Sequence, residues 1–126
     1  MRTNAARTFE IERAGKTLVL IPQSNPNEFD SGQLDAVANE VLTMLDQALG
    51  TSVVIDCHNT DFFSSSTLGF FMQLWLRVRI RNGRMAFCNL SGQEKEILHL
   101  TKADTLWSIC PSRSDSLDAL REAGAS

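Results

Sequence analysis

Strand-like apolar runs alternate with segments of helical periodicity along most of this chain of 126 residues. Residues 9–21 predict a β-hairpin, because two such runs flank a turn that contains Gly15. After the hairpin each further strand is followed by a helix, so the predicted order is β-β-α-β-α-β-α-β-α. Strands that are joined through helices usually pair in parallel, because the connection crosses back over the sheet. The sequence therefore predicts a single α/β domain whose mixed sheet is mostly parallel.

The helices and inner strands have clear boundaries in the sequence. Apolar residues recur at helical spacing over residues 34–49, and the run 53–55 is apolar throughout, as in a strand covered on both faces. A second helix is predicted over residues 68–81. Ser91 and Glu94 have the spacing of a capping box, which opens a third helix. The remaining predicted elements are a strand at 85–88, a strand around Trp107 and Ile109, and a final helix opened by Ser112 and Asp115.

The length and charge of the chain exclude several kinds of protein. We expect one domain over residues 9–122, a flexible N-terminal tail at 1–8 and a C-terminal tail at 123–126. Because 12 Lys and Arg residues stand against 15 Asp and Glu residues, the net charge is −3, and direct binding of nucleic acid is not expected. The sequence has no run of 18 apolar residues, so membrane insertion is not expected either.

The three cysteines indicate a reducing compartment. Cys57, Cys88 and Cys110 lack the spacing of a zinc site or of a disulfide framework. Each lies within or beside an apolar run, where a thiol usually acts as a small buried side chain. We therefore expect a cytoplasmic protein without a metal site.

No motif in the sequence predicts catalysis. Glycine-rich nucleotide loops are absent, so no cofactor is expected. His58 and His99 could suggest a Ser–His pair, but the chain has no G-x-S-x-G elbow. We therefore expect a protein that is not an enzyme.

Four hydroxyl side chains, those of Ser64, Ser65, Ser66 and Thr67, stand in a row where the second helix begins. A helix N-terminus has unpaired N–H groups and about half a positive charge, so it can hold a phosphate without basic side chains. A phosphoryl group there would add roughly −1.5 to −2 charges. The alternative is that the hydroxyls only cap the helix. The spacing alone leaves both interpretations open.

The aromatic and apolar residues around this helix also allow two interpretations. Phe62 and Phe63 follow a strand and are expected to be exposed. Phe70 and Leu74 lie off the main apolar stripe of the helix, on which Leu68 lies. A helix that is apolar on more than one face is either deeply buried or docks on a partner.

Two segments in this region form a recognisable pattern: residues 53–56 have the sequence VVID, and residues 61–69 have the sequence DFFSSSTLG. Together they resemble the signature of STAS domains, the family of anti-sigma factor antagonists and of related domains in sulfate transporters. The resemblance extends to the G-x-L-D sequence at 32–35, the Asn-Gly turn at 82–83 and the CNLS sequence at 88–91. It covers nearly the whole chain and implies a STAS-like fold.

The resemblance implies a regulator of transcription that switches between partners. An anti-sigma factor with serine kinase activity would bind the unmodified protein and phosphorylate Ser65, less favourably Ser64 or Ser66. The phosphorylated protein would release this partner, and a serine phosphatase would reset it. Asp35, Asp56 and Thr67 would lie near the phosphorylated residue. The residues that would contact the partner are Phe62, Phe63, Leu68, Phe70 and Leu74.

Two positions depart from the family pattern. Ser64 stands where the family usually has aspartate, and Thr67 stands where it usually has glycine. The first change removes a negative charge beside the acceptor, and the second adds bulk where a partner would approach. The resemblance therefore also admits a scaffold that is not phosphorylated, a STAS subunit of a stress-signalling or transporter-associated complex.

Overall fold

The computed structural model describes residues 9–23, 35–36, 39–41, 43–44, 52–61, 63 and 65–125. The strands are β1 (Phe9–Ala14), β2 (Thr17–Pro22), β3 (Ser52–Asp56), β4 (Met85–Cys88) and β5 (Ser108–Cys110). The helices with described bounds are α1 (Ser65–Ile80), α2 (Gly92–Leu100) and α3 (Arg113–Ala125), and a short 3-10 helix spans Ala103–Thr105. Residues 35–36, 39–41 and 43–44 are also helical, and the rest of the helix predicted over 34–49 lies outside the described residues. In the described part of the chain, no helix has the length and hydropathy that crossing a bilayer requires.

The strands form one sheet in chain order, β1-β2-β3-β4-β5. β1 and β2 are antiparallel, and all later neighbours are parallel. The turn between β1 and β2 contains Gly15 at φ 63°, a conformation that a residue with a Cβ adopts only at a cost. The predicted hairpin and the mixed, mostly parallel sheet are confirmed.

Side chains of the inner strands alternate between two cores on opposite faces of the sheet. The larger core contains, from the strands, Leu18, Leu20, Val53, Ile55 and Phe87. The smaller core contains Val19, Val54, Ala86 and Cys88 from the strands and Leu120 from α3. Because α1 packs in the larger core and α3 in the smaller one, helices cover both faces of the sheet.

The apolar residues around the start of α1 are buried. Phe63 is 4% exposed and packs edge-to-face on a phenylalanine of α1, with ring centroids 5.3 Å apart, so the exposure expected for it is wrong. Phe70 is also 4% exposed and Leu74 is fully buried. Of the two interpretations of Phe70 and Leu74, burial in the core is therefore confirmed. In this conformation Phe63, Phe70 and Leu74 are not available to a partner. Leu68 is half-buried against the same core, and Phe62 lies outside the described residues.

The predicted starts of the last two helices are confirmed, whereas α1 begins at Ser65, three residues before the start predicted at residue 68. Ser91 caps α2: its Oγ accepts the N–H of Glu94 at 3.1 Å, and Oε1 of Glu94 accepts the N–H of Ser91 at 2.9 Å. Before α3, Oγ of Ser112 accepts the N–H of Asp115 at 3.2 Å. α3 continues to Ala125, past the domain boundary predicted at residue 122.

Candidate functional site

The loops that follow the parallel strands meet at one edge of the sheet. β3 ends at Asp56, which lies in register with Cys88 at the end of β4, and Cys88 lies in register with Cys110 at the end of β5. α1 follows the loop after β3, and α3 follows the loop after β5. In open parallel sheets this carboxyl edge is where functional residues usually collect.

The first turn of α1 contains three of the four hydroxyl residues. Ser65, Ser66 and Thr67 are the first three residues of this helix of 16 residues, and Ser64 lies outside the described residues. No acidic residue lies in the first turn, so the partial positive charge of the helix N-terminus is not offset by a carboxylate of the same turn. Thr67 is buried, which excludes it as an accessible acceptor in this conformation.

Asp56 is the centre of a hydrogen-bond network at this carboxyl edge of the sheet. Its Oδ1 accepts a hydrogen bond from Nδ2 of Asn89 at 2.9 Å and from the backbone N–H of His58 at 3.2 Å, and Nδ1 of His58 lies 2.9 Å from the same oxygen. Its Oδ2 accepts a hydrogen bond from Nε of Arg113 at 2.9 Å. Arg113 also pairs with Glu12 of β1, with Nη1 and Oε1 2.8 Å apart. The network thus joins β1, the ends of β3 and β4, and the start of α3.

The charge of Asp56 is stabilised by these donors. Burial by itself raises the pKa of its carboxyl group, but the hydrogen bonds from Asn89, His58 and Arg113 outweigh burial and lower the pKa to about 2. The carboxylate is therefore ionised at neutral pH and holds a cation at the first helical position of α3. A cation is electrostatically unfavourable at a helix N-terminus, so Asp56 and Glu12 compensate an otherwise poor placement of Arg113.

A second buried carboxylate fastens the loop between β3 and α1 to the start of α2. Glu94 is fully buried, and its Oε2 accepts a hydrogen bond from Oγ1 of Thr60 at 2.7 Å while its Oε1 holds the cap of α2. Ser91 adds a second link, because its Oγ lies 2.5 Å from the carbonyl oxygen of Asp61. Burial raises the pKa of Glu94, although hydrogen bonds from Ser91 and Thr60 act in the opposite direction. The loop that leads into the serine run is thus held at Thr60 and Asp61.

Two of the three cysteines at this edge, Cys57 and Cys88, are poor nucleophiles. Burial raises the pKa of the Cys57 thiol well above its usual range and that of Cys88 to about 12. Both thiols therefore stay protonated at neutral pH. Within the ranges that the structure describes, no group of three His, Cys, Asp or Glu side chains could hold a metal ion.

Comparison with known proteins identifies the family. The model of the STAS domain family matches residues 11–116. The chain belongs to the STAS domain family. No curated protein sequence matches it at a significant level.

Solved structures of STAS proteins share the fold at low sequence identity. An anti-sigma-factor antagonist (STAS) domain protein from Planctomyces limnophilus has a TM-score of 0.73 at 21% identity, over 89% of this chain and 96% of that one. The unphosphorylated form of the anti-sigma factor antagonist SpoIIAA has a TM-score of 0.74 at 16% identity, over 90% and 96% of the two chains. The phosphorylated form of SpoIIAA, a Bacillus cell fate determinant, has a TM-score of 0.67 at 16% identity, over 88% and 97%.

Some residues of the site in this STAS domain were predictable from the sequence and others were not. Ser65 and Ser66 were expected at the start of a helix and Asp56 at the end of a strand, and the structure has them there. Asp35 is exposed on helical backbone, and its proximity to Ser65 stays a prediction. Asn89 and Arg113 were missed.

Each missed residue carried a signal. Asn89 has φ 57°, and asparagine directly after a strand is a frequent choice for that conformation. Arg113 is a basic residue directly after an N-cap serine, where an acidic one is favoured. Glu94 was recognised as half of a capping box, but its second oxygen and its burial follow only from the position of Thr60 in the tertiary structure.

Proposed function

We propose that this STAS domain is an anti-sigma factor antagonist that acts by partner switching and has no catalytic activity of its own. In the unmodified state it binds an anti-sigma factor with serine kinase activity. Phosphorylation of Ser65 by that partner weakens the complex, and a serine phosphatase restores the unmodified state. The protein would act in the cytoplasm, in the regulation of transcription.

The observation that carries this proposal is the position of Ser65 as the first residue of α1. A phosphoryl group on this residue would face the partial positive charge of the helix and its unpaired N–H groups. The absence of acidic residues from the first turn means that the added charge meets no repulsion from that turn. Support also comes from SpoIIAA, a protein of similar fold at 16% identity that has been solved in a phosphorylated form.

The partner would approach the exposed side of the first turns of α1. Leu68 is half-buried and Gly69 is exposed. Among the described residues, and apart from the chain neighbours and backbone of the helix itself, no atom lies within 4 Å of the position that a Cβ on Gly69 would take. This open surface lies one turn from Ser65, so roughly −1.5 to −2 added charges would change the potential of the contact directly. Phe62 stays a predicted contact.

Phosphorylation can be tested with the purified protein, ATP and the kinase-type anti-sigma factor encoded by the same organism. The intact mass should increase by one phosphoryl group in wild type and in Ser66→Ala, the control one residue away. It should not increase in Ser65→Ala. A complex that forms while no serine is phosphorylated would contradict the switch and favour the STAS scaffold, and modification lost only in Ser66→Ala or Ser64→Ala would move the acceptor to that residue.

A further inference from the structure

A pocket of about 340 Å³ lies at the edge of the sheet opposite to the serine run. Its wall includes Met85 and Ser108, the first residues of β4 and β5, together with Trp75 and Arg79 from the second half of α1. Its volume is within the range of small-molecule sites in proteins, about 300–1,000 Å³. None of the residues that line the pocket takes part in the hydrogen bonds described above for Asp56 and Glu94.

The charged groups of this pocket have one sign. Arg79 and Arg84 line it, and no Asp or Glu does among the described residues. Neither guanidinium has an ion pair with a carboxylate in the part of the chain that the structure describes. Arg79 lies over the ring of Trp75, with 5.3 Å between its Cζ and the ring centroid, so aromatic stacking positions this cation without neutralising it.

The apolar part of the wall is flat and aromatic. Trp75 and Trp107 line the pocket together with Leu106, which is 42% exposed. Trp107 stacks on Phe87, with the ring centroids 4.7 Å apart, so its ring is held in place from the core side. Its Nε1 is buried and has no hydrogen-bond acceptor among the residues that the structure describes, although a buried indole N–H ordinarily finds one.

We propose that this pocket binds a small organic anion with a planar apolar body, of the class of aromatic carboxylates. The carboxylate would pair with the guanidinium groups of Arg79 and Arg84, which are forked donors suited to a planar oxyanion. The ring of the ligand would pack against the indoles and Leu106.

The two tryptophans of the chain both line this pocket, so their indole N–H signals in a nitrogen-15 NMR spectrum report on it directly. The full chain is titrated with 2-naphthoate, with its neutral isostere 2-naphthamide and with inorganic phosphate. We expect 2-naphthoate to shift both indole signals and to bind at least about tenfold more tightly than 2-naphthamide or phosphate, a difference of about 1.4 kcal/mol.

Substitutions of three exposed arginines test which guanidinium groups bind the carboxylate. Arg79→Gln and Arg84→Gln are each expected to weaken 2-naphthoate binding by about tenfold. Arg77→Gln, which removes an exposed arginine of α1 that does not line the pocket, should leave it unchanged. Unperturbed indole signals at millimolar 2-naphthoate, equal binding of 2-naphthamide or of phosphate, or an equal effect of Arg77→Gln would each overturn the proposal. None of these outcomes depends on phosphorylation of Ser65.

Discussion

Replacing Asp56 with asparagine should lower the free energy of unfolding by about 2 kcal/mol at pH 7. Asparagine keeps the size of the side chain and one acceptor oxygen, but it removes the charge that Arg113 and Asn89 stabilise. The magnitude follows from the pKa of Asp56, which is lowered from 3.8 to about 2, because each pKa unit corresponds to about 1.4 kcal/mol.

The sign of the pH dependence follows from the same pKa. Because the pKa of Asp56 is lower in the folded state, its contribution is fully present above pH 4 to 5 and is lost as the pH falls toward 2. For these two values, about half of the contribution remains at pH 3. The difference in stability between wild type and Asp56→Asn should therefore shrink from about 2 to about 1 kcal/mol between pH 7 and pH 3.

Urea unfolding, followed by tryptophan fluorescence at pH 7, 5 and 3, measures this difference. Glu96→Gln is the matched control, because it removes an exposed carboxylate of α2 and should change stability by less than about 0.5 kcal/mol. A loss in Asp56→Asn that is as large at pH 3 as at pH 7 would refute the electrostatic argument, because it would trace the loss to packing. A loss below about 0.5 kcal/mol at pH 7 would also refute it.

Three further predictions concern the contacts around the site and the hairpin. Glu94→Ala should lower the free energy of unfolding by about 3 kcal/mol in urea titrations, because it opens a cavity and leaves two hydrogen-bond donors without their acceptor. Glu94→Gln should lower the free energy of unfolding by less than half as much. Gly15→Ala should lower the free energy of unfolding by about 1 kcal/mol in thermal melts. Apart from the chain neighbours, no atom of the described residues lies within 4 Å of the new Cβ, so the effect should come from the backbone at φ 63°, and an unchanged midpoint would contradict this. Iodoacetamide at pH 8 should label Cys110 before Cys57 and Cys88, because burial raises the pKa of the latter two thiols. Mass spectrometry of peptides over time measures the order of labelling. Early labelling of Cys57 would contradict the prediction and show that its loop opens.

The order of elements could be predicted from the sequence because each element carries a local signal. Gly15 marks the hairpin turn, and the Ser91–Glu94 spacing marks the start of α2, and neither signal depends on distant residues. The burial of Phe63 could not be predicted in this way. Its polar neighbours suggest a loop surface, whereas its burial depends on the ring of Phe71, nearly two turns into α1, and on that of Phe87 in β4.

The candidate site was only partly predictable for the same reason. A serine at a helix start is visible in the sequence, since Ser65 needs only its neighbours to be recognised. The Asp56 network instead joins residues up to 101 positions apart, because Arg113 contacts Glu12 as well as Asp56. Such contacts follow from the chain order of the strands in the sheet, which brings the ends of β3 and β4 and the start of α3 together.

The central claim is that a phosphoryl group on Ser65 releases a kinase-type anti-sigma factor. The most direct test is the dissociation constant of that complex, measured by calorimetry for the unmodified protein and for protein phosphorylated at Ser65. We predict that phosphorylation raises the dissociation constant by at least about tenfold, equivalent to about 1.4 kcal/mol. Equal dissociation constants for the two forms would contradict the account.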